Sequence, residues 1–157
     1  MASIKSIEIK ELKLEHVSIL VQELSREKPE YLEYFIPFDF SFETFSEIIT
    51  NAVKDKYFGI FVSEKIAGFY MLRGLDKGYK VPSYGVWISS RYSNKGLSKL
   101  TLFHAFSVCK LNNIVKLMLK VHPENEIARK LYESMGFKQT GFDEKNSNSI
   151  YHKDITE

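Results

Sequence analysis

The chain has 157 residues, of which 44% are hydrophobic and 27% charged, and this composition indicates one folded domain over residues 1–157. Its formal net charge is only +2, from 22 basic and 20 acidic side chains, which argues against a nucleic-acid partner bound through bulk charge. The single cysteine, Cys109, excludes an internal disulfide, and the N-terminal sequence lacks the apolar run of a secretory signal or a membrane span, so we expect a cytoplasmic protein with no membrane partner.

The first part of the chain predicts one strand and two helices. Residues 6–16 alternate imperfectly and indicate an opening strand, and residues 14–28 place apolar side chains at helical spacing. Residues 29–40 are aromatic and interrupted by two prolines, which is typical of a loop or of short irregular helices. A second helix is expected to start at Ser41.

The rest of the chain predicts a meander of three strands, a helix, a strand, a helix that ends at a glycine, and two closing strands. We place these elements at 56–62, 66–74, 83–92, 94–112, 114–122, 125–136, 137–142 and 149–155. The element order indicates a mixed α/β fold with a single sheet flanked by helices.

A polar turn, Ser93-Asn94-Lys95-Gly96-Leu97-Ser98, connects the third meander strand to the following helix. The first N–H groups of a helix have no partner inside it, and the helix dipole adds positive charge, so this turn is a candidate anion site. Gly96 would let a ligand approach the backbone, and Lys95 and Lys99 would add charge. The alternative is that Asn94 only caps a helix and that the lysines are solvated. Neither the P-loop spacing nor the dinucleotide-binding spacing of glycines is present.

A second constellation lies on the later helix. Asn125 is suited to cap that helix, and Ala128 and Tyr132 follow on successive turns. A phenol beside a small residue could donate a proton to a thiolate leaving group. The alternative is that Tyr132 is only a core tyrosine.

Together these two segments resemble the acetyl-CoA-dependent N-acetyltransferase superfamily of the GCN5-related (GNAT) type. Residues 86–88 match the apolar strand and residues 93–98 the loop of the family's Gln/Arg-x-x-Gly-x-Gly/Ala motif. The family's later motif, Asn-x-x-Ala-x-x-x-Tyr-x-x-x-Gly-Phe, is matched by Asn125, Ala128, Tyr132, Gly136 and Phe137. Ser93 replaces the usual Gln or Arg and Ser98 the usual Gly or Ala, which leaves open how firmly the pyrophosphate is held and whether Arg91 or Lys95 compensates.

The resemblance implies a mixed, mostly antiparallel sheet whose fourth and fifth strands splay apart to admit acetyl-CoA as co-substrate, with no metal. An acceptor amine would attack the thioester directly, with catalysis resting on positioning and on a strand amide that polarises the carbonyl. Tyr132 would protonate the departing sulfur. The resemblance assigns Val86 and Ile88, with Asn125, to the pantetheine arm, and the backbone amides of Asn94, Lys95, Gly96, Leu97 and Ser98 to the pyrophosphate. It also implies Trp87, Ser93 and Ala128 as cofactor-binding residues.

The general base and the acceptor are less defined. No acidic residue lies on the fourth strand, so the base stays open among His122, Glu124, Tyr84 and a water chain, with His122 taken as the catalytic candidate. Aromatic rings with a few polar groups suit a sugar or a base, and the candidates for this side are Tyr34, Phe35, Arg73 and Tyr84. The alternative is that these rings only seal one end of the core.

Three functions follow from these residues. The first is acetyl transfer to a small-molecule amine, with an amino-sugar nucleotide as one candidate acceptor. The second is transfer to a protein N-terminus or lysine, and the third is an acyl-CoA-binding module without turnover. A homodimer is left open. The four histidines lack ligand-like spacing, so no metal is expected; His104 is predicted at the core boundary and Cys109 as a buried, inert thiol.

Overall fold

The computed structural model describes residues 3–35 and 37–155, so both ends of the predicted domain and Ile36 of the aromatic loop lie outside the described residues. The strands are β1 (Ile7–Glu11), β2 (Lys56–Val62), β3 (Lys65–Arg73), β4 (Ser83–Ile88), β5 (Lys116–Val121), β6 (Lys138–Asp143) and β7 (Asn148–Asp154). The helices are α1 (Leu14–Ser25), α2 (Pro29–Leu32), α3 (Phe42–Asn51), α4 (Leu97–Leu111) and α5 (Glu126–Ser134). This order is the predicted one, with α2 as the short helix in the aromatic loop.

The strands form a single seven-stranded sheet in the order β1-β2-β3-β4-β5-β7-β6. Every neighbouring pair is antiparallel except β4 and β5, which run parallel. The prediction of a mixed, mostly antiparallel sheet flanked by helices is therefore confirmed.

The central strands β4 and β5 separate after a short contact. Their register joins only Ser83 to Met118 and Tyr84 to Leu119. Within the described residues, no cross-strand pair links the remainder of β4, Gly85–Ile88, to β5. The predicted splay between the fourth and fifth strands is confirmed, and it leaves one edge of β4 open.

Helices cover both faces of the sheet, and the core lies in two main layers. On one face, α1 and α3 bury Leu20, Leu24 and Phe45 against the odd-numbered residues of β3 and β4. On the other face, α4 and α5 bury Leu102 and Tyr132 against the even-numbered residues. Because β2 and β3 are buried on both faces, they read as continuous apolar runs and not as alternating strands.

Two predicted boundaries around the polar turn are wrong. β4 ends at Ile88 and is followed by a 3₁₀ turn over Ser90–Tyr92, not by four further strand residues. α4 begins at Leu97, not at Asn94, because Asn94 (φ 59°) and Gly96 (φ 80°) both have left-handed backbone angles that an α-helix cannot contain. Gly96 is therefore the N-cap residue, and Asn94 does not cap the helix.

Two side chains of α4, His104 and Cys109, are buried to the extent that the sequence predicts. His104 is half-buried and its Nδ1 lies 2.6 Å from the hydroxyl of Tyr70. Cys109 is fully buried, and burial raises the pKa of its thiol to about 11, so the thiol stays protonated at neutral pH. In the parts of the chain that the structure describes, no helix has the length and apolar character needed to span a membrane.

Candidate active site between the splayed strands

The open edge of β4 presents backbone groups of alternate residues to the gap. The carbonyl of Pro82 accepts from Met118 on the β5 side, at 3.0 Å, whereas the amide of Ser89 donates to Ala67 on the β3 side, at 2.8 Å. Backbone direction alternates along a strand, so the N–H and C=O groups of Val86 and Ile88 face the gap. The carbonyl of Ile88 already accepts from the hydroxyl of Tyr31 at 2.6 Å.

Trp87 is placed differently from its two neighbours. By the same alternation its backbone faces β3, and its register partner there is Phe69. Its indole N–H donates to the carboxylate of Glu27 at 3.0 Å, on the face covered by α1 and α3. The structure therefore does not bring Trp87 to the open edge with Val86 and Ile88, contrary to its prediction as a cofactor-binding residue.

The polar turn lies at the C-terminal end of β4 and leads into α4. Its backbone is shaped by the left-handed residues Asn94 and Gly96, and a Cβ added to Gly96 would meet no atom within 4 Å. This open side and the unpaired first N–H groups of α4 form a concave set of donors suited to an anion. Ser93 donates its hydroxyl to the carbonyl of Ser90 at 3.0 Å, so this side chain serves the loop itself. Lys95 is exposed beside the loop.

Buried hydroxyl groups of Thr101 and Tyr84 stabilise the same loop on the side of the sheet. Thr101 donates its hydroxyl to the carbonyl of Ser98 at 2.7 Å and lies 2.8 Å from the hydroxyl of Tyr84. Because the Thr101 proton is committed to Ser98, Tyr84 is the donor to Thr101. The side chain of Leu97 is buried in a cluster with Ile60 and Ile88, which anchors the first turn of α4 to the sheet.

Tyr84 thus lies behind the loop of Asn94–Ser98, to which Thr101 connects it. It is buried beneath α4, and that burial raises its pKa well above the ordinary value of a tyrosine. Phe35 and Arg73 lie on the opposite face of the sheet, in the layer of α1 and α3. The structure does not bring Tyr84 together with those two residues, so its predicted place on the acceptor side is corrected.

The later motif forms the other wall of the gap. The Asn125 side-chain oxygen accepts from the amide of Ala128 at 3.4 Å and caps α5, which leaves its NH2 group outside the cap. Tyr132 packs edge-on against Tyr84 and Phe137, with ring centroids 6.3 and 5.9 Å apart. Burial raises the pKa of Tyr132 to about 12, so its phenol is protonated at neutral pH and able to donate.

His122 lies at the open end of β5, stacked on Tyr34 with ring centroids 4.5 Å apart. Its Nδ1 accepts the amide of Glu124 at 3.1 Å. A neutral imidazole has one lone pair for accepting a proton, and here that lone pair is directed at the backbone. In this geometry the neutral ring carries its proton on Nε2, which weakens the case for His122 as a general base.

The aromatic residues on the other side divide between two places. Phe35 packs against Phe40 and Phe69, and the Arg73 guanidinium lies 5.0 Å from the Phe38 ring centroid, so these residues do seal the layer of α1 and α3. Arg73 also lines an open cleft of about 280 Å³ beside α3, away from the gap. Tyr34, by contrast, is exposed at the splayed strand ends.

Three contributors were missed by the sequence interpretation. Tyr31 and Glu27 reach β4 from a region 57 to 63 residues earlier in the chain, and no local pattern distinguishes them. Thr101 had a faint local signal, since it lies one helical turn after Ser98 and serine or threonine often bonds back to a carbonyl in a helix.

The comparisons with known proteins agree with this geometry. The model of the acetyltransferase (GNAT) family matches residues 19–137. The search of curated protein sequences finds no match.

Solved structures share the fold at low sequence identity. The PaiA N-acetyltransferase of Thermoplasma acidophilum, in complex with coenzyme A, is 23% identical with a TM-score of 0.78, covering 95% of this chain and 99% of that one. RimL, a ribosomal alpha-N-protein acetyltransferase in complex with coenzyme A, is 16% identical with a TM-score of 0.81 over 96% and 94%. A spermidine N-acetyltransferase chimera from Vibrio cholerae and hSSAT is 18% identical with a TM-score of 0.75 over 96% of each chain.

The family match spans well over half of the chain, and the solved structures share its fold. The chain is a member of the acetyltransferase (GNAT) family.

Proposed function

We propose that this acetyltransferase moves an acetyl group from acetyl-CoA to the amine of a small acceptor, by direct attack of the amine on the thioester. The observation that carries the proposal is the gap between β4 and β5, with Val86 and Ile88 facing it and the loop of Asn94–Ser98 at its end. A thioester bound there supplies an activated acyl group and a thiolate leaving group.

The donor would be held mainly by backbone groups. Val86 offers both its N–H and its C=O, and Ile88 its N–H, as a strand edge that can pair with the amides of a pantetheine arm. The amides from Asn94 to Ser98 offer a cradle for a diphosphate, with the NH2 group of Asn125 on the opposite wall. A strand amide at the reacting end would polarise the acyl carbonyl.

Tyr132 is the proposed proton donor. Its raised pKa keeps it protonated over the physiological range, and its ring packs against Tyr84 of β4 with ring centroids 6.3 Å apart. The proton would pass from the phenol to the leaving sulfur as the carbon–sulfur bond breaks.

Deprotonation of the acceptor amine is assigned to solvent. His122 directs its lone pair at the amide of Glu124, and β4 carries no carboxylate. Neither His122 nor β4 therefore provides a base that faces the reacting atoms. We assign His122 a positioning role, in which its stacking holds Tyr34 at the mouth of the gap.

A small acceptor is favoured over a long peptide by the segment around α2. Tyr31 bonds the end of β4 and Tyr34 stacks at the end of β5, so this short stretch bridges the two splayed ends. The bridge narrows the acceptor entrance. An amino-sugar nucleotide is one candidate acceptor. Because the chain is also similar to spermidine and ribosomal-protein acetyltransferases, polyamines and peptide N-termini are tested beside it.

The test combines turnover with binding. Release of free CoA is measured with acetyl-CoA and a panel of amino sugars, amino-sugar nucleotides, polyamines and peptide N-termini, next to calorimetric titration with CoA. Turnover on a small amine supports the proposal. Turnover only on peptides would replace the acceptor, and binding without turnover on any amine would favour the non-catalytic module.

A further inference from the structure

The carboxylate of Glu27, just after the end of α1, connects this segment to the end of β4 through hydrogen bonds. Glu27 accepts from the Trp87 indole N–H at 3.0 Å, from the Ser90 amide at 3.0 Å and from the Ser90 hydroxyl at 2.6 Å. Ser90 opens the 3₁₀ turn that leads into the loop of Asn94–Ser98. The carboxylate therefore fixes the residue from which that loop departs.

A second, weaker contact accompanies the first. Glu23, one helical turn earlier, pairs with Arg91 at 2.7 Å, but the Arg91 side chain is 58% exposed, so solvent screens this pair. The bonds of Glu27 differ in number and in one partner: the two from Ser90 are exposed, but the third comes from the indole of Trp87, which is only 3% exposed. A charged acceptor with several donors forms strong, directional bonds.

The charge of Glu27 has the wrong sign for an electrostatic role. A carboxylate shortly before an anion-binding loop repels a diphosphate, so on charge alone its removal would strengthen donor binding. Its hydrogen bonds account for its presence better than its charge does.

We propose that Glu27 is a positioning residue for the donor: it holds the Ser90–Tyr92 turn so that the amides of Asn94–Ser98 converge on the diphosphate. This inference rests on the proposed function, because it needs acetyl-CoA in the gap. Glu27 also lies directly before the α2 segment, so the same bonds connect the donor loop to the segment that carries Tyr31 and Tyr34.

Three variants test the inference by calorimetric titration with CoA, which requires no turnover. Glu27→Ala removes all three bonds and is expected to weaken CoA binding about tenfold. Glu27→Gln removes the same charge but keeps an oxygen for the two N–H donors and an NH2 group for the Ser90 hydroxyl, so we expect affinity within about threefold of wild type. Glu30→Ala is the matched control: it removes a carboxylate from the exposed start of α2 and should leave affinity unchanged.

Steady-state kinetics and thermal unfolding complete the test. Glu27→Ala should raise KM for acetyl-CoA more than it lowers kcat, with recovery in Glu27→Gln. A lowered Tm with unchanged CoA affinity would show a merely structural role and overturn the inference. Tighter binding in both variants would show that the charge of Glu27 acts and not its geometry. Equal weakening in both would show that the bonds retained by Glu27→Gln do not position the loop, and would overturn the inference as well. Absence of CoA binding by the wild-type protein would sink the proposed function itself and the inference with it.

Discussion

The two sides of the gap are built in different ways. The proposed donor side is mainly backbone: the free edge of β4, the left-handed turn at Asn94 and Gly96, and the start of α4 lie within one continuous stretch of chain, and α5 adds the side chains of Asn125 and Tyr132. The proposed acceptor side is made of side chains from distant segments, such as Tyr31 on the carbonyl of Ile88 and Tyr34 on His122. Backbone geometry tolerates many side chains, whereas side-chain contacts change with every substitution.

This difference explains why a donor can be common to a family while acceptors diverge. A strand edge and a helix N-terminus recognise amide and phosphate groups that every acyl-CoA carries. The acceptor entrance depends on a few aromatic contacts around α2 that can be exchanged without disturbing the sheet. Predictions that strike the donor side should therefore have larger effects than those on the acceptor side.

The largest effect is expected from Tyr132→Phe. Loss of the phenol removes the proposed proton donor and should lower kcat by about 100-fold or more, within the range usual for general acid catalysis. The ring and its packing on Tyr84 and Phe137 are retained, so CoA affinity should stay within a few-fold of wild type. Steady-state rates and calorimetry measure the two quantities, and an unchanged kcat would remove the proton-donor assignment.

Tyr132 should also make the free energy of unfolding depend on pH in the alkaline range. Its pKa rises from 10.0 to about 12 on folding, so the folded state holds this proton more tightly than the unfolded state. The resulting contribution is complete below pH 10 and is lost as pH rises from 10 to 12, because there only the unfolded state ionises. One unit of pKa difference corresponds to about 1.4 kcal/mol, so at pH 11 the loss from this group is roughly that size.

Urea unfolding at pH 8 and pH 11 checks this prediction against Tyr132→Phe. The wild-type protein should lose about 1 kcal/mol more stability between the two pH values than the variant does. An equal loss in the two proteins would show that folding does not raise the pKa of Tyr132. It would then argue against Tyr132 as the proton donor.

How far the sequence predicts this site can be judged from particular residues. The sequence predicts the positions of Val86 on β4, Gly96 in the turn and Asn125 at the cap of α5, because these positions depend on local backbone structure, which a spacing in the sequence encodes. Trp87 and Tyr84 were misplaced because a side chain's face depends on strand register, and a one-residue change in position reverses it.

Other features depend on tertiary structure alone. The predicted start of α4 lies three residues early, because the sequence pattern does not reveal that Asn94 and Gly96 take left-handed backbone angles before the helix begins. Glu27 and Tyr31 act across more than 50 residues of chain, and such contacts follow only from the packing of α1 and α2 on the sheet. The fold, in contrast, follows from periodicity and order, which are local.

The next largest effect is expected from Thr101→Val, which changes the hydrogen bonds between α4, Ser98 and Tyr84 and lowers the free energy of unfolding. Valine keeps the volume but leaves the buried Tyr84 hydroxyl without its acceptor, which costs about 1–3 kcal/mol in the free energy of unfolding. The double variant Tyr84→Phe with Thr101→Val removes both partners and should recover part of that loss. Denaturant unfolding measures the cycle, and additive losses in the double variant would contradict a direct Tyr84–Thr101 bond.

The smallest effect is expected at His122, on the acceptor side. His122→Phe keeps an aromatic ring for stacking on Tyr34 but has no titratable nitrogen. We expect kcat to change by no more than about threefold and the shape of its pH profile to stay the same, whereas loss of a general base would lower kcat about 100-fold or more. His122→Ala removes the stacking as well and should raise KM for the acceptor a few-fold, at unchanged KM for acetyl-CoA. A large fall in kcat for His122→Phe, with loss of the acidic limb of the pH profile, would instead make His122 the base. It would also mean that the Nδ1 contact with Glu124 opens when substrate binds, because the ring nitrogen can take the amine proton only after it releases the backbone amide.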